Sequence, residues 1–197
     1  MTTNHRERAE FDDILAAVAA VELCHSIRFA GSIRRYLYAP DPVNVADAAL
    51  DLGCGLGHGS LVLQNKGYVV TAVDKAECHP DIARVVNIIH IQSNLGVFEP
   101  LPAHRFNLIC MCDVLEHLEN PAAMLRRAAS WLKPGGLAYI AVPVEGASSP
   151  NPYHLHAWDL GGLRAMLDEH WQIIDVLPQS PPGVFWATCR PKGSPHA

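Results

Sequence analysis

The chain has 197 residues and a formal net charge of -5, with 15 lysines and arginines against 20 aspartates and glutamates. That balance argues against a broad basic footprint for nucleic acid and leaves room only for a local patch. Hydrophobic residues at 49% and charged residues at 18% fit a globular chain with a sizeable core, and exclude a disordered or fibrous one.

Met-Thr-Thr-Asn-His-Arg does not read as a signal sequence and Glu22 breaks the later apolar run, so neither a signal peptide nor a membrane segment is expected and a cytoplasmic location is the expectation. Cys24, Cys54, Cys78, Cys110, Cys112 and Cys189 lack CxxC spacing and read as reduced, structural thiols. The arginines Arg28, Arg34, Arg35, Arg126 and Arg127 are expected on solvated faces.

In chain order, Phe11, Ile14, Leu15, Val18 and Val21 recur at helical spacing, with Asp12 and Asp13 favouring the positive end. Gly31 interrupts, and Ser32 to Ala39 forms a shorter helical piece stopped by Pro40-Asp-Pro42. Short apolar runs then predict buried strands at Ala48–Leu52, Val69–Val73, Asn87–Ile91, Phe106–Cys110 and Leu137–Val142. Helices are expected at Leu56–Lys66, ending at Gly67, and at Pro121–Leu132, with Asn120 as N-cap and proline in the first turn. Pro134-Gly-Gly is expected to turn the chain into the fifth strand. A loop at Val144–Pro152 precedes a helix at Leu160–His170 and strands at Gln172–Val176 and Val184–Cys189. The expected organisation is one domain over 1–197: a helical cap at 1–45, a core at 46–190 and a tail at 191–197.

The first strand runs directly into Asp51-Leu-Gly53-Cys54-Gly55-Leu-Gly57-His-Gly59. Glycines permit a tight turn and let a ligand approach the backbone at a helix N-terminus. The second strand ends in Asp74, placed to accept hydrogen bonds from ribose hydroxyls at the switch point of a parallel sheet. A nicotinamide fingerprint wants glycine where this chain has His58, which disfavours an oxidoreductase.

The Asp-x-Gly-x-Gly-x-Gly spacing resembles the first motif of class I S-adenosylmethionine-dependent methyltransferases. The resemblance extends from Ala48 to Val176 through Phe106-Asn-Leu-Ile-Cys-Met-Cys-Asp113-Val-Leu-Glu116-His117 and Trp131-Leu-Lys-Pro-Gly-Gly-Leu-Ala-Tyr-Ile. It implies a three-layer, Rossmann-like α/β fold of about seven strands, mostly parallel with the last strand antiparallel. It implies S-adenosylmethionine as cofactor, with Asp51 near the methionine amino group, Gly53 and Gly55 under the methionine and ribose, and Asp74 on the ribose. Cys54, Gly57, Lys75, Leu95 and Cys112 complete the expected cofactor contacts, and Asn94 stands where the family often has an acid at the adenine.

Asp113, Glu116 and His117 follow the fourth strand, and Asn151-Pro-Tyr-His154-Leu-His156-Ala-Trp158 follows the fifth, so both segments are expected at the reaction centre. Asp113, Glu116, His117 and His154 are candidate ligands for Mg²⁺ or another divalent metal. The pattern is similar to that of metal-dependent small-RNA 2′-O-methyltransferases and of ubiquinone-pathway O-methyltransferases. The alternative is that Glu116-His117 is an ordinary helix start, with Asp113, His117 and His154 or His156 serving as acid–base or substrate contacts. The other histidines, His58, His79, His90 and His104, are read as loop or structural groups. Tyr36 and Tyr38 are expected to pack. The function expected is methyl transfer to an oxygen, less readily a nitrogen, of a small metabolite, sugar or natural product. Alternatives are RNA 2′-O-methylation and a catalytically silent, cofactor-binding interaction protein.

Overall fold

The computed structural model describes residues 33, 35–100, 105–145, 150–177 and 183–193. The amphipathic helix expected at Phe11–Val21, the break at Gly31, Arg28, Arg34, Cys24, His104 and the final Ser-Pro-His-Ala lie outside those residues. Seven strands form one sheet: β1 (Ala48–Leu52), β2 (Val69–Asp74), β3 (Ile88–Gln92), β4 (Phe106–Cys112), β5 (Leu132–Pro143), β6 (Trp171–Leu177) and β7 (Val184–Pro191). Their order is β3-β2-β1-β4-β5-β7-β6. The first five pair in parallel, and β7 inserts antiparallel between β5 and β6.

Burial on both faces explains the near-continuous apolar strand sequences, since helices cover each side of a parallel sheet. Within each strand, successive side chains go to opposite cores. Ala49, Cys110, Cys112, Tyr139 and Ala141 join one cluster with Leu61, Val62, Tyr36 and Tyr68. Leu50, Leu52, Ile109, Met111, Ile140 and Val142 join the other with Met124, Leu125, Trp131, Leu163 and Leu167.

Among the described residues, α1 (His58–Asn65), α2 (Pro121–Trp131) and α3 (Leu160–Asp168) flank the sheet. Asn120 caps α2 by accepting from the Ala123 N–H, and Asp159 caps α3 by accepting from the Gly162 N–H. Helix α1 starts differently, from Gly57 at φ 94° with no side-chain cap. Its first-turn donors therefore have no side-chain acceptor beside the glycine loop.

One connection departs from the sequence expectation. The fifth strand begins at Leu132 rather than Leu137, because α2 passes directly into extended chain and Leu132 pairs with Phe106 across an irregularity before Leu108. Pro134-Gly-Gly is thus taken into the strand. A Cβ at Gly136 would lie 3.0 Å from the Lys133 carbonyl and 3.1 Å from the Phe106 carbonyl, so a side chain there would push the neighbouring main chain back by a few tenths of an ångström.

The N-terminal piece is fastened to the sheet through its main chain. Ile33 and Arg35–Leu37 are helical. The Tyr139 hydroxyl donates to the Arg35 carbonyl (2.7 Å), the Lys66 ammonium to the Ala39 carbonyl (2.7 Å) and the Tyr68 hydroxyl to the Pro40 carbonyl (3.0 Å). No helix among the described residues is long and apolar enough to cross a membrane.

Candidate active site

The strand order reverses between β1 and β4, the position where doubly wound sheets open a ligand crevice beyond their carboxyl ends. A cavity of about 330 Å³ opens there, lined by Arg35, Tyr36, Gly53–Gly55, Leu56, His58, Gly59, Cys112 and Asp113.

Its floor is the glycine loop, held against β2 by main-chain bonds. The Gly53 N–H donates to the Val73 carbonyl (2.8 Å) and the Gly57 N–H to the Cys54 carbonyl (2.9 Å). Gly53, Gly55 and Gly57 all have positive φ, at 71°, 54° and 94°. Their neighbours separate their roles. A Cβ on Gly53 would meet Val114 at 2.5 Å, and one on Gly57 would meet Cys78 at 2.8 Å and Ile82 at 2.9 Å, so packing demands both glycines. A Cβ on Gly55 would meet nothing within 4 Å, although its backbone also lines the cavity. That space is where a ligand can approach the main chain.

Asp74 organises the loop from β2. One carboxylate oxygen accepts from the Gly55 N–H (2.9 Å) and the other from the Ala76 N–H (2.9 Å). Gln92 then ties the end of β3 to β2 by donating to the Lys75 carbonyl (3.1 Å). Asn94 closes a local turn, its side-chain oxygen accepting from the Gly96 N–H (2.8 Å). Lys75, Asn94 and Leu95 lie beyond the cavity lining, on the β2–β3 side.

Asp51 is fully buried beneath the loop. Its carboxylate accepts from the Tyr36 hydroxyl (2.7 Å) and the Ser60 hydroxyl (2.6 Å). Burial raises its pKa to about 6, against the opposing effect of these two bonds, with the nearby Asp74 charge adding to the rise. Tyr36 reaches it because Gly59 has no side chain: a Cβ there would fall 2.2 Å from the tyrosine ring. Packing of Tyr36, expected from sequence, is accompanied by a polar role that the sequence did not announce.

The β4 side has different construction. Asp113, with φ 55°, leaves the strand while its N–H donates to the Ala141 carbonyl (2.9 Å). It forms an ion pair with Arg35, whose expected solvated position is thereby corrected: the guanidinium lies over the cavity, where a carboxylate at the end of β4 meets it. His58, read from sequence as a loop or structural histidine, is buried at the start of α1 and also lines the cavity. Burial, and secondarily His79, lowers its pKa. Burial likewise pushes the Cys112 thiol up, keeping it protonated.

Beyond Asp113, a 3₁₀ turn at Leu115–His117 meets the segment after β5. The Glu116 carbonyl accepts from the N–H groups of Leu155 (2.8 Å) and His156 (3.2 Å), so main-chain bonds bring the two segments together. The His117 and His154 rings lie 4.8 Å apart edge to face, and Glu116, His117 and His154 offer ligand atoms within 4.8 Å of one another. Asp113 is outside that set. His156 turns away, bonding the Leu118 carbonyl (2.9 Å) and stacking on Trp158 at 5.2 Å.

His117 Nδ1 lies 3.0 Å from the Tyr153 carbonyl, which fixes the proton on that nitrogen in the neutral ring and leaves Nε2 as acceptor. His154 Nδ1 meets Glu145 at 2.8 Å, and its Nε2 meets the Asn151 amide nitrogen at 2.8 Å. Glu116 is 1% exposed, and among the described residues neither of its carboxylate oxygens has a hydrogen-bond partner. Burial raises its pKa, opposed first by its own main-chain N–H and then by His117, His154 and Arg35.

Sheet order, glycine loop, acidic strand end and crevice together make a Rossmann-like fold of the methyltransferase kind. Residues 23–176 match a family described as a methyltransferase domain, and the chain belongs to the class I S-adenosylmethionine-dependent methyltransferases. Ubiquinone biosynthesis O-methyltransferases of Xanthomonas campestris pv. campestris and Coxiella burnetii are 34% and 33% identical over 101 and 98 residues. These matches cover 47% of this chain in each case but only 41% and 42% of the relatives, so the similarity spans less than half of their length. The solved Burkholderia thailandensis 1,6-didemethyltoxoflavin-N1-methyltransferase, with bound 1,6-didemethyltoxoflavin and S-adenosylhomocysteine, shares the fold. Its TM-score is 0.71 at 18% identity, over 97% of this chain and 91% of that one.

Proposed function

We propose that this chain transfers the methyl group of S-adenosylmethionine to a hydroxyl oxygen of a small molecule, with Glu116, His117 and His154 at the acceptor. The observation that carries the reading is Glu116: a buried carboxylate whose oxygens have no hydrogen-bond partner among the described residues, beside two imidazoles and within electrostatic reach of Arg35, which lines the cavity. A buried group of this kind costs stability unless something meets it, and an acceptor hydroxyl supplies a donor. The O-methyltransferase relatives support oxygen as the acceptor atom.

In the step itself, the acceptor oxygen forms a bond to the methyl carbon while the carbon–sulfur bond breaks. The electron pair returns to sulfur, leaving a neutral thioether. The hydroxyl proton passes to Glu116, whose buried carboxylate is made a better proton acceptor by desolvation, which raises its pKa. His154 is less ready as a base, because the Asn151 amide already occupies its Nε2. Asp74, the glycine loop and the buried Asp51 align the cofactor, and alignment supplies much of the acceleration.

The same donor set fits a divalent cation. Glu116, His117 through Nε2 and His154 would hold it, the last by exchanging its Asn151 contact, while the Tyr153 carbonyl and Glu145 orient the rings from behind. Such an ion would favour deprotonation of a bound hydroxyl.

The test is turnover on a panel of phenols and catechols with S-adenosylmethionine, with and without chelator. Activity lost on chelation and restored by Mg²⁺ or Mn²⁺ assigns the cation. Activity that survives chelation and disappears in Glu116→Gln assigns the metal-free base. Wild-type turnover in both Glu116→Gln and His154→Ala contradicts the proposed centre.

A further inference from the structure

Arg127 lies in the middle of α2, on the far side of the sheet from the glycine-loop cavity, and the sequence places it with the solvated arginines. The structure corrects that placement. Its Nε donates to the Glu99 carboxylate (3.0 Å), Nη1 to the carbonyls of Leu95 (3.0 Å) and Gly96 (3.2 Å), and Nη2 to the Phe98 carbonyl. The guanidinium carbon sits 5.3 Å from the Trp131 ring centroid. Trp131 in turn donates from Nε1 to the other Glu99 oxygen (3.1 Å) and packs edge-on to Phe98 at 5.8 Å.

These contacts converge on the segment that follows β3. Asn94 accepts there from the N–H groups of Val97 (3.1 Å) and Phe98 (3.0 Å), while its side chain holds Gly96. A turn whose N–H groups point inward presents its carbonyls outward, where water or a donor must meet them. Arg127 meets three at once, and its planar fork fixes their mutual geometry in a way that a single ammonium cannot.

We propose that Arg127, held by Glu99 and Trp131, is a positioning residue for the adenine end of the cofactor. It acts through the Asn94–Phe98 turn without touching the ligand. The proposal rests on the reading of Asn94 and Leu95 as the adenine side, and it deepens that reading by naming what holds the turn in place. Helix α2 follows β4 by way of Asp113 and the 3₁₀ turn at Leu115–His117, so the helix that holds the base-binding turn is joined directly to the segment proposed to face the acceptor.

The experiment compares dissociation constants for S-adenosylhomocysteine and its inosine counterpart, which differ only at the base edge, in the wild type, Arg127→Lys and Glu99→Gln. Melting temperatures are measured alongside. A turn that reads the base gives the wild type a preference for adenine of about tenfold or more, since an unmet polar group costs roughly 1–3 kcal/mol. Arg127→Lys should remove most of that preference, and Glu99→Gln part of it, with KM for S-adenosylmethionine raised and kcat retained. Both variants keeping the full base preference while melting earlier would make Arg127 a purely structural residue and overturn the proposal. A wild type that binds S-adenosylhomocysteine but has no base preference would remove the adenine assignment of Asn94 and Leu95, and the proposal with it.

Discussion

On the β1–β2 side of the crevice the polar groups are mostly main chain, organised by two carboxylates from neighbouring strands, whereas on the β4–β5 side they are side chains from three separate segments. Gly53, Gly55 and Gly57 hold their conformations through bonds to Val73 and Cys54 and through Asp74. The proposed acceptor side takes Arg35 from before β1, Asp113 and Glu116 from after β4, and His154 from after β5. The first construction suits an invariant ligand. The second can be altered one residue at a time while the fold stands, as expected where a shared scaffold serves different acceptors.

The largest effect that sharpens this contrast is at Glu116. Glu116→Gln removes the proposed proton acceptor but preserves shape, so turnover should fall by about 10²–10⁴-fold while cofactor affinity stays within roughly twofold. Rapid-quench turnover and calorimetry on the same preparation separate the two quantities. Parallel loss of both would mean that the two sides are one cooperative unit.

Next come the glycines. Gly53→Ala drives a Cβ to 2.5 Å from Val114 at φ 71° and should cost roughly 2–4 kcal/mol, whereas Gly55→Ala meets open space and should cost only about 1–2 kcal/mol for the left-handed backbone. Urea denaturation reads the difference. Equal costs would show that Gly55 is a packing residue after all.

A smaller effect belongs to Asp51. Its folded pKa of about 6 lies above the ordinary carboxyl value, so the native state keeps a proton that the unfolded chain has released. Its contribution to stability is therefore fully present at low pH and declines as pH rises from about 4 to 6, by on the order of 3 kcal/mol. Asp51→Asn should flatten this limb of the Tm–pH curve relative to the wild type. An unchanged difference across that range would mean that the Tyr36 and Ser60 bonds offset the burial.

The same division explains what could be read before the fold was seen. The strands and the glycine loop were legible because each is a contiguous string whose period and spacing carry its geometry. Asp74 was legible because a strand end has a fixed place in a doubly wound sheet. The meeting of Glu116 and His117 with His154 followed from strand order. What distinguishes His154 from His156 did not, because it depends on Glu116's carbonyl pinning the chain and on Asn151, Glu145 and Leu118 receiving particular ring nitrogens. Tyr36, Arg35 and Arg127 were assigned too little, since tyrosine and arginine on helical stretches have no local mark that separates a solvated face from a partner brought near by the fold. For Tyr36 one clue was present: Gly59, a glycine inside the start of a helix, is explained by a ring lying on it.

The central claim, that the space over Gly55 is where the cofactor meets the main chain, is tested most directly by calorimetric titration of S-adenosylhomocysteine into the wild type and Gly55→Val. The far-UV circular dichroism of both proteins is recorded alongside. The account predicts binding to the wild type and at least about tenfold weaker binding to a folded Gly55→Val, since a branched side chain would occupy the approach to the loop. Wild-type affinity in a folded Gly55→Val, or a wild type that binds a nicotinamide dinucleotide and not S-adenosylhomocysteine, would contradict it.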